Sequence, residues 1–290
     1  MNKIFSKLNP KEGSFLEVFK YWDLLVQLVS RDVKLKYRRS FLGYLWSILN
    51  PLSVMIIMAV VFSFLFARGV DLFPIYLLAG KCCFDFIQTS ADKSIYAITD
   101  NDSLLKKTYV PKYMFTVARV TATMIDFFFS LGAMVLVMVV YSFVEKRCLF
   151  SFMKFGFVFP LIESFIFALG LGLLLSALHV FFRDIRYIFN AIITALSYAS
   201  AVFYSVDMFY DTNSRAAAIL AKFVEFCNPI YIYIKQLRYF LYVPGLVGDA
   251  PYWCQVHVYD FVLGFGYAII MLLIGVKVFK KTQDQFILYI

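Results

Sequence analysis

An all-α membrane protein is what this sequence predicts, and three observations predict it. Residues 40–67 run 28 positions without Asp, Glu, Lys or Arg. Five cations, Arg31, Lys34, Lys36, Arg38 and Arg39, stand immediately before that stretch. Hydrophobic residues make up 62% of the 290-residue chain and charged residues 16%. Roughly 20 apolar helical residues cross about 30 Å of hydrocarbon, and cations flanking a span hold that end on the cytoplasmic side. The chain therefore reads as one multi-pass domain, residues 1–290, with its N-terminus inside. The polar, basic opening MNKIFSKLNPKEGSF has no apolar core of a cleavable signal.

The amphipathic segment comes first. Leu16, Phe19, Trp22, Val26 and Val29 recur at helical spacing against Glu17, Lys20, Asp23, Gln27 and Ser30, which predicts a helix over 13–36 lying along the interface. A packed helix of a soluble cap is the alternative. Spans follow at about 44–66, 114–141, 156–180, 187–206 and 257–277, each built on a charge-poor window. A further span at 72–98 is interrupted by Lys81, Asp85, Asp92 and Lys93. Lys81 and Asp85 are four apart, so they share a helix face and can pair away from lipid.

Six spans put both termini on the cytoplasmic side, and charge supports that count. Seventeen Lys/Arg then lie inside against eight outside, with Lys81, Lys93 and Arg119 inside spans. Residues 207–257 form the longest outer segment. Its apolar pieces, 216–226 and 230–243, are each too short to cross and are split by Asn228-Pro229. Two re-entrant helices fit, and a folded outer loop is the alternative.

Several chemistries lack their residues. The net charge of +9 comes from cations at span ends, without a basic-aromatic nucleic-acid module. Two histidines, His179 and His257, fall at opposite faces, and the five cysteines have no metal spacing, so no metal site is expected. Cys82 and Cys83 read as small core residues. No phosphate-binding loop or serine elbow occurs, so no cofactor is expected in this chain. Asp126 lies inside the third span and shares a helix face with Arg119, seven residues earlier; a structural pair is the expectation and a proton relay the alternative. Arg183, Asp184 and Arg186 read as a charged cytoplasmic turn.

Ordered motifs along the chain resemble the permeases of polysaccharide-export ABC transporters, of the ABC-2 type. These are Arg31 to Trp46 closing on Asn50-Pro51-Leu52, Leu78-Ala79-Gly80 before Phe84, and Asn101 to Pro111. Phe182-Arg183-Asp184-Ile185, Asn228-Pro229 with Arg238, and Asp284-Gln285-Phe286 with Tyr289-Ile290 follow. Lys81, Asp85 and the Glu145-Lys146-Arg147 loop depart from that pattern.

The resemblance implies an inner-membrane permease that exports O-antigen, teichoic acid or capsular glycan. Its partners would be a second copy of the chain, a lipid-linked polysaccharide and a separate ATP-binding subunit carrying ATP and Mg. Asn101, Asp102, Leu104, Lys106, Lys107, Tyr109 and Pro111 would couple to that subunit, with Asp102 as helix N-cap. Arg31, Lys34, Arg38 and Arg39 would meet a lipid pyrophosphate, or act only as topology determinants. Tyr231, Tyr233, Tyr239 and Arg238 would form an outer gate where sugars stack, an aromatic belt being the alternative. Spans one and five would line a pore between two copies. A membrane enzyme acting on lipid-linked sugars is the competing reading.

Overall fold

The computed structural model describes residues 21–37, 40–65, 72–107, 110–144, 146, 152–210, 215–243 and 254–289. Among the described residues every regular element is helical. They are α1 (Trp22–Tyr37), α2 (Trp46–Leu65), α3 (Phe73–Ile95), α4 (Asp102–Lys107), α5 (Tyr113–Val144) and α6 (Val158–Phe181). After these come α7 (Ile185–Ala199), α8 (Asp207–Tyr210), α9 (Arg215–Cys227), α10 (Pro229–Leu241), α11 (Val258–Thr282) and α12 (Phe286–Tyr289).

Among the described residues three helices are long and apolar enough to cross a membrane: Tyr113–Val144, Phe155–Phe181 and Val258–Tyr289. A fourth crossing arises if α9 and α10, bent by 81° at Asn228, count as one broken span. The described part of the amphipathic helix, α1, buries Leu25 and Leu28 and leaves Trp22 and Val26 exposed. Its predicted first turns, 13–20, lie outside the described residues.

The centre of the bundle is α3, against which α5, α6 and α10 pack. It starts with Pro74 in the first turn, where the missing N–H costs nothing. Most of its circumference is buried, including Ile75, Tyr76, Ala79, Cys82, Cys83, Ile87 and Ala91. Beyond Pro74, its incompletely buried positions are Lys81, Asp85, Gln88, Thr89, Asp92 and Lys93. Those recur every three to four residues, so the charges form one stripe on one face. Beside it, α6 and α11 touch backbone to backbone. A Cβ on Gly170 would strike Leu272, and one on Gly275 would strike the Gly170 carbonyl. Small residues allow such close helix contact where no water drives association.

The helix of the fifth predicted span, 187–206, ends seven residues early. α7 stops at Ala199, and 15 residues reach only about 22 Å. Residues 200–206 leave the helix because their carbonyls are claimed from outside. Arg238 donates to Ala201 O at 3.0 Å and Val202 O at 2.8 Å, and Asn228 Nδ2 donates to Ala199 O at 3.3 Å. Ala201 sits at φ 48°, the left-handed region that ends a helix. Asn228 also supplies the N-cap of α10, its Oδ1 accepting from Ile230 N and Tyr231 N.

Candidate functional site: a charged clasp and a polar cleft

The segment expected to couple to a motor begins as a 3₁₀ turn, Thr99–Asn101, and continues as α4. A ring of polar contacts fastens it to α1 and α5. Arg31 Nη1 donates to Asn101 Oδ1 at 3.0 Å, and Arg31 Nη2 pairs with Asp32 Oδ1 at 3.1 Å. Asp32 Oδ2 lies 3.3 Å from Arg119 Nη1, whose Nη2 is 2.9 Å from Asp100 Oδ2. Asn101 Nδ2 donates to Ala97 O, which completes the anchoring of the turn. Asp32 is 7% exposed and Arg119 20%, so this ring is shielded, whereas Asp100 at 51% is open to solvent.

A second ionic bridge lies deeper. Asp126 accepts from Lys36 at 2.9 Å and from Lys93 at 3.2 Å, joining α1, α3 and α5. The expected Arg119–Asp126 pair is therefore corrected: each residue finds its partners on other helices. Lys81 and Asp85 do form an ion pair. The charged side chains Lys36, Lys81, Asp85 and Asp126 line one cleft of about 440 Å³ between α2, α3 and α5, with Trp46, Asn50, Thr89 and Thr123.

The same end of the bundle gathers the other predicted turns. Lys112 Nζ donates to Gln283 O at 2.6 Å, and Phe286 is fully buried against Phe181 and Phe279. Arg186 Nη1 donates to Tyr96 OH at 3.4 Å, and the same guanidinium lies 4.3 Å over the Tyr187 ring. Arg183 and Asp184 are both exposed in the turn between α6 and α7.

The individual sequence expectations fare unevenly. Leu104 is half-buried against the core, Lys106 is exposed, and Pro111 O accepts from Met114 N where α5 begins. Asp102 is corrected as an N-cap. Its backbone is already helical, at φ −54° and ψ −44°, and its carboxylate faces Ser103 N and Lys106. Lys107 closes α4. Tyr109, Arg38 and Arg39 lie outside the described residues. Arg31 holds Asp32 and Asn101, while Lys34 is exposed.

The outer gate is corrected more heavily. Tyr231, Tyr233 and Arg238 are all buried, at 2%, 0% and 2% exposure. Tyr233 OH donates to Gly264 O at 3.1 Å. The Arg238 guanidinium lies 3.6 Å over the Tyr76 ring and donates to three carbonyls, the third being Tyr76 O at 3.3 Å. These residues tie α10 to α3, to the segment after α7 and to α11 from within. Of the four, only Tyr239, half-buried and edge-on to Phe240, keeps ring surface available. Sequence reasoning missed the parts played by Asp32, Asp100, Lys36 and Lys93. In the deeper bridge the partners stand 33 and 90 residues apart along the chain, beyond the reach of any local pattern.

The sequence profile of the ABC-2 type transporter family matches residues 23–242, three-quarters of the chain and the whole of the clasp. The chain belongs to the ABC-2 type transporter family. Its relatives point to one group within that family. It is 25% identical over 270 residues to the O-antigen export system permease protein RfbA of Myxococcus xanthus, covering 93% of this chain and 96% of the relative. To a protein of the same name from Klebsiella pneumoniae it is 27% identical over 235 residues, 78% of this chain and 88% of that protein. The polysialic acid transport protein KpsM of Escherichia coli is 23% identical over 179 residues, 61% of this chain and 68% of KpsM.

Proposed function

We propose that this ABC-2 transporter chain is the membrane permease that exports a lipid-linked polysaccharide such as O-antigen. ATP hydrolysis on a separate ATP-binding subunit, with its Mg, supplies the work. The observation carrying this reading is the match to O-antigen export permeases over almost the full length of both proteins. KpsM, a polysialic acid transport protein by name, favours capsular polysaccharide as the second reading. Teichoic acid stands behind it.

In this reading the chain crosses the cytoplasmic membrane six times with both termini inside. α2, α3, α5, α6, α7 and α11 make the crossings, while α9 and α10 enter from the outer surface and return. The thinnest crossing is α7. Its polar residues Asn190, Thr194 and Ser197 support a position against a second copy of the chain around a pore. The clasp fastens the turn leading into α4, which supports α4 as the surface that the ATP-binding subunit grips, with the exposed Lys106 offered to acidic side chains. A pull on α4 reaches α1 through Asp100, Asn101, Arg31, Asp32 and Arg119.

Deleting the gene and restoring it tests the proposal. Surface polysaccharide should vanish and lipid-linked polysaccharide accumulate inside, with both reversed by the intact chain. A tagged chain should retain an ATP-binding subunit through purification. Hydrolysis of lipid-linked sugar phosphates by the purified chain alone would overturn the reading in favour of a membrane enzyme.

A further inference from the structure

The cleft between α2, α3 and α5 contains more polar groups than a lipid-facing surface tolerates. Down the single exposed stripe of α3 run Lys81, Asp85, Thr89 and Lys93, a distance of about 18 Å at helical rise. Asp85 is 46% exposed and Lys81 25%, although both sit near the middle of a helix buried on its other sides. Ionisable groups at such depth face a water-filled cavity and mark a substrate path. The opposite walls add Ser47, Asn50, Thr123 and Ser130.

The charge pattern selects the occupant. Lys81 is paired with Asp85, and Lys36 with Asp126. Among the described residues each cation at the cleft stands against a carboxylate, with Lys93 sharing Asp126, so the walls carry hydrogen-bond acceptors as well as donors. A phosphate requires unmatched cations. A polyol uses both members of each pair, because each hydroxyl donates once and accepts twice. Trp46, 48% exposed, stands at the cleft with a flat apolar ring that can cover the C–H face of a sugar. About 440 Å³ lies within the usual range of small-ligand sites.

We propose that this cleft is a saccharide subsite, taking one or two neutral sugar units of the exported polymer against Trp46, Lys81, Asp85 and Thr89. This rests on the polysaccharide-export reading and adds to it a contact inside one copy of the chain, beside any path between two copies. The Lys81–Asp85 pair is the specificity element.

A photo-reactive p-benzoylphenylalanine at position 89, in the full chain with its ATP-binding subunit in cells making the glycan, tests the contact. Illumination should join the chain to material recognised by antiserum against that glycan. The same residue at Val262, exposed on α11, should not. Glycan reaching the surface with no glycan adduct at position 89, or an adduct to phospholipid alone, overturns the subsite. In parallel, Lys81→Leu with Asp85→Leu should cut surface glycan at least fivefold at unchanged membrane abundance. The exchanged pair, Lys81→Asp with Asp85→Lys, should recover part of it. Undiminished export by the double leucine variant also refutes the subsite while leaving the exporter reading intact. Absence of export by the native chain would instead refute the exporter reading, and the subsite would fall with it.

Discussion

Arg119→Leu opens the clasp at its central cation, and the size of the effect follows from the two carboxylates that Arg119 holds. The leg to Asp100 is exposed on the carboxylate side, so it contributes less than about 1 kcal/mol. The leg to Asp32 is different, because Asp32 is 7% exposed. Stripping a buried charge of all partners costs roughly 3–5 kcal/mol. Asp32 keeps Arg31 at 3.1 Å, which brings the cost down to about 1–2 kcal/mol. α1 rests on the bundle chiefly through Leu25, Leu28 and its ionic contacts, so the deficit shows as local detachment of α1. At about 1.36 kcal/mol per factor of ten, amide hydrogen exchange across residues 26–35 should accelerate about 5- to 30-fold in lipid nanodiscs. Exchange in α6 should not change. Asp32→Asn should give a comparable acceleration, and the double variant should add little to either, since both break one contact. Exchange in α1 unchanged within twofold, or full additivity of the two substitutions, would refute the clasp as an energetic link.

Other parts of the structure give sharper local outcomes. Gly275→Ala should lower membrane abundance of folded chain severely, because its Cβ would meet the Gly170 carbonyl, whereas Gly266→Ala, which faces open space, should be neutral by fluorescence-detected size exclusion. Arg238→Lys should destabilise by about 3 kcal/mol despite keeping the charge, since a compact ammonium lacks the planar spread by which Nε, Nη1 and Nη2 each reach a carbonyl while the group covers Tyr76; an unchanged melting temperature would contradict this. Asn228→Ala should cost about 2 kcal/mol by removing an N-cap together with the bonds to Ser200 and Ala199. Asn228→Asp keeps the accepting oxygens and should cost about half as much in the same melting assay.

Long, charge-free runs are legible because their signal is local: α5, α6 and α11 lie within a few residues of the windows their composition marks. The same holds for the break at Asn228-Pro229, where a capping side chain and a missing N–H coincide. Helix length is hidden where the cause is distant. Residues 187–206 read as one apolar run, yet Arg238 takes the carbonyls of Ala201 and Val202 and α7 stops at Ala199. Charge pairing follows the same rule. Lys81–Asp85 is set by one helical turn and is visible, whereas Asp126 finds Lys36 90 residues away. Tyr231, Tyr233 and Arg238 read as a gate in the sequence because an amphipathic pattern does not say which side faces the bundle.

The buried contacts divide the chain into a stiff part and a loosely held part. Gly170 and Gly275 lock α6 to α11, and Arg238 locks α10 to α3, so these helices move together or not at all. α7 fully buries only Phe189 and Ile193, and α1 fully buries two leucines, adding the half-buried Leu24 and Val29 and its ionic contacts. Packed interiors resist gradual deformation, so a pull must be absorbed at such thin contacts. The pair Lys36–Asp126 is partly exposed and can break and re-form against water at small net cost, whereas the shielded Arg119–Asp32 pair yields at about 1–2 kcal/mol. A force on α4 would therefore turn α1 about the bundle before it disturbed α6 and α11. The cleft lined by Lys36 and Asp126 lies where that rotation would change its width.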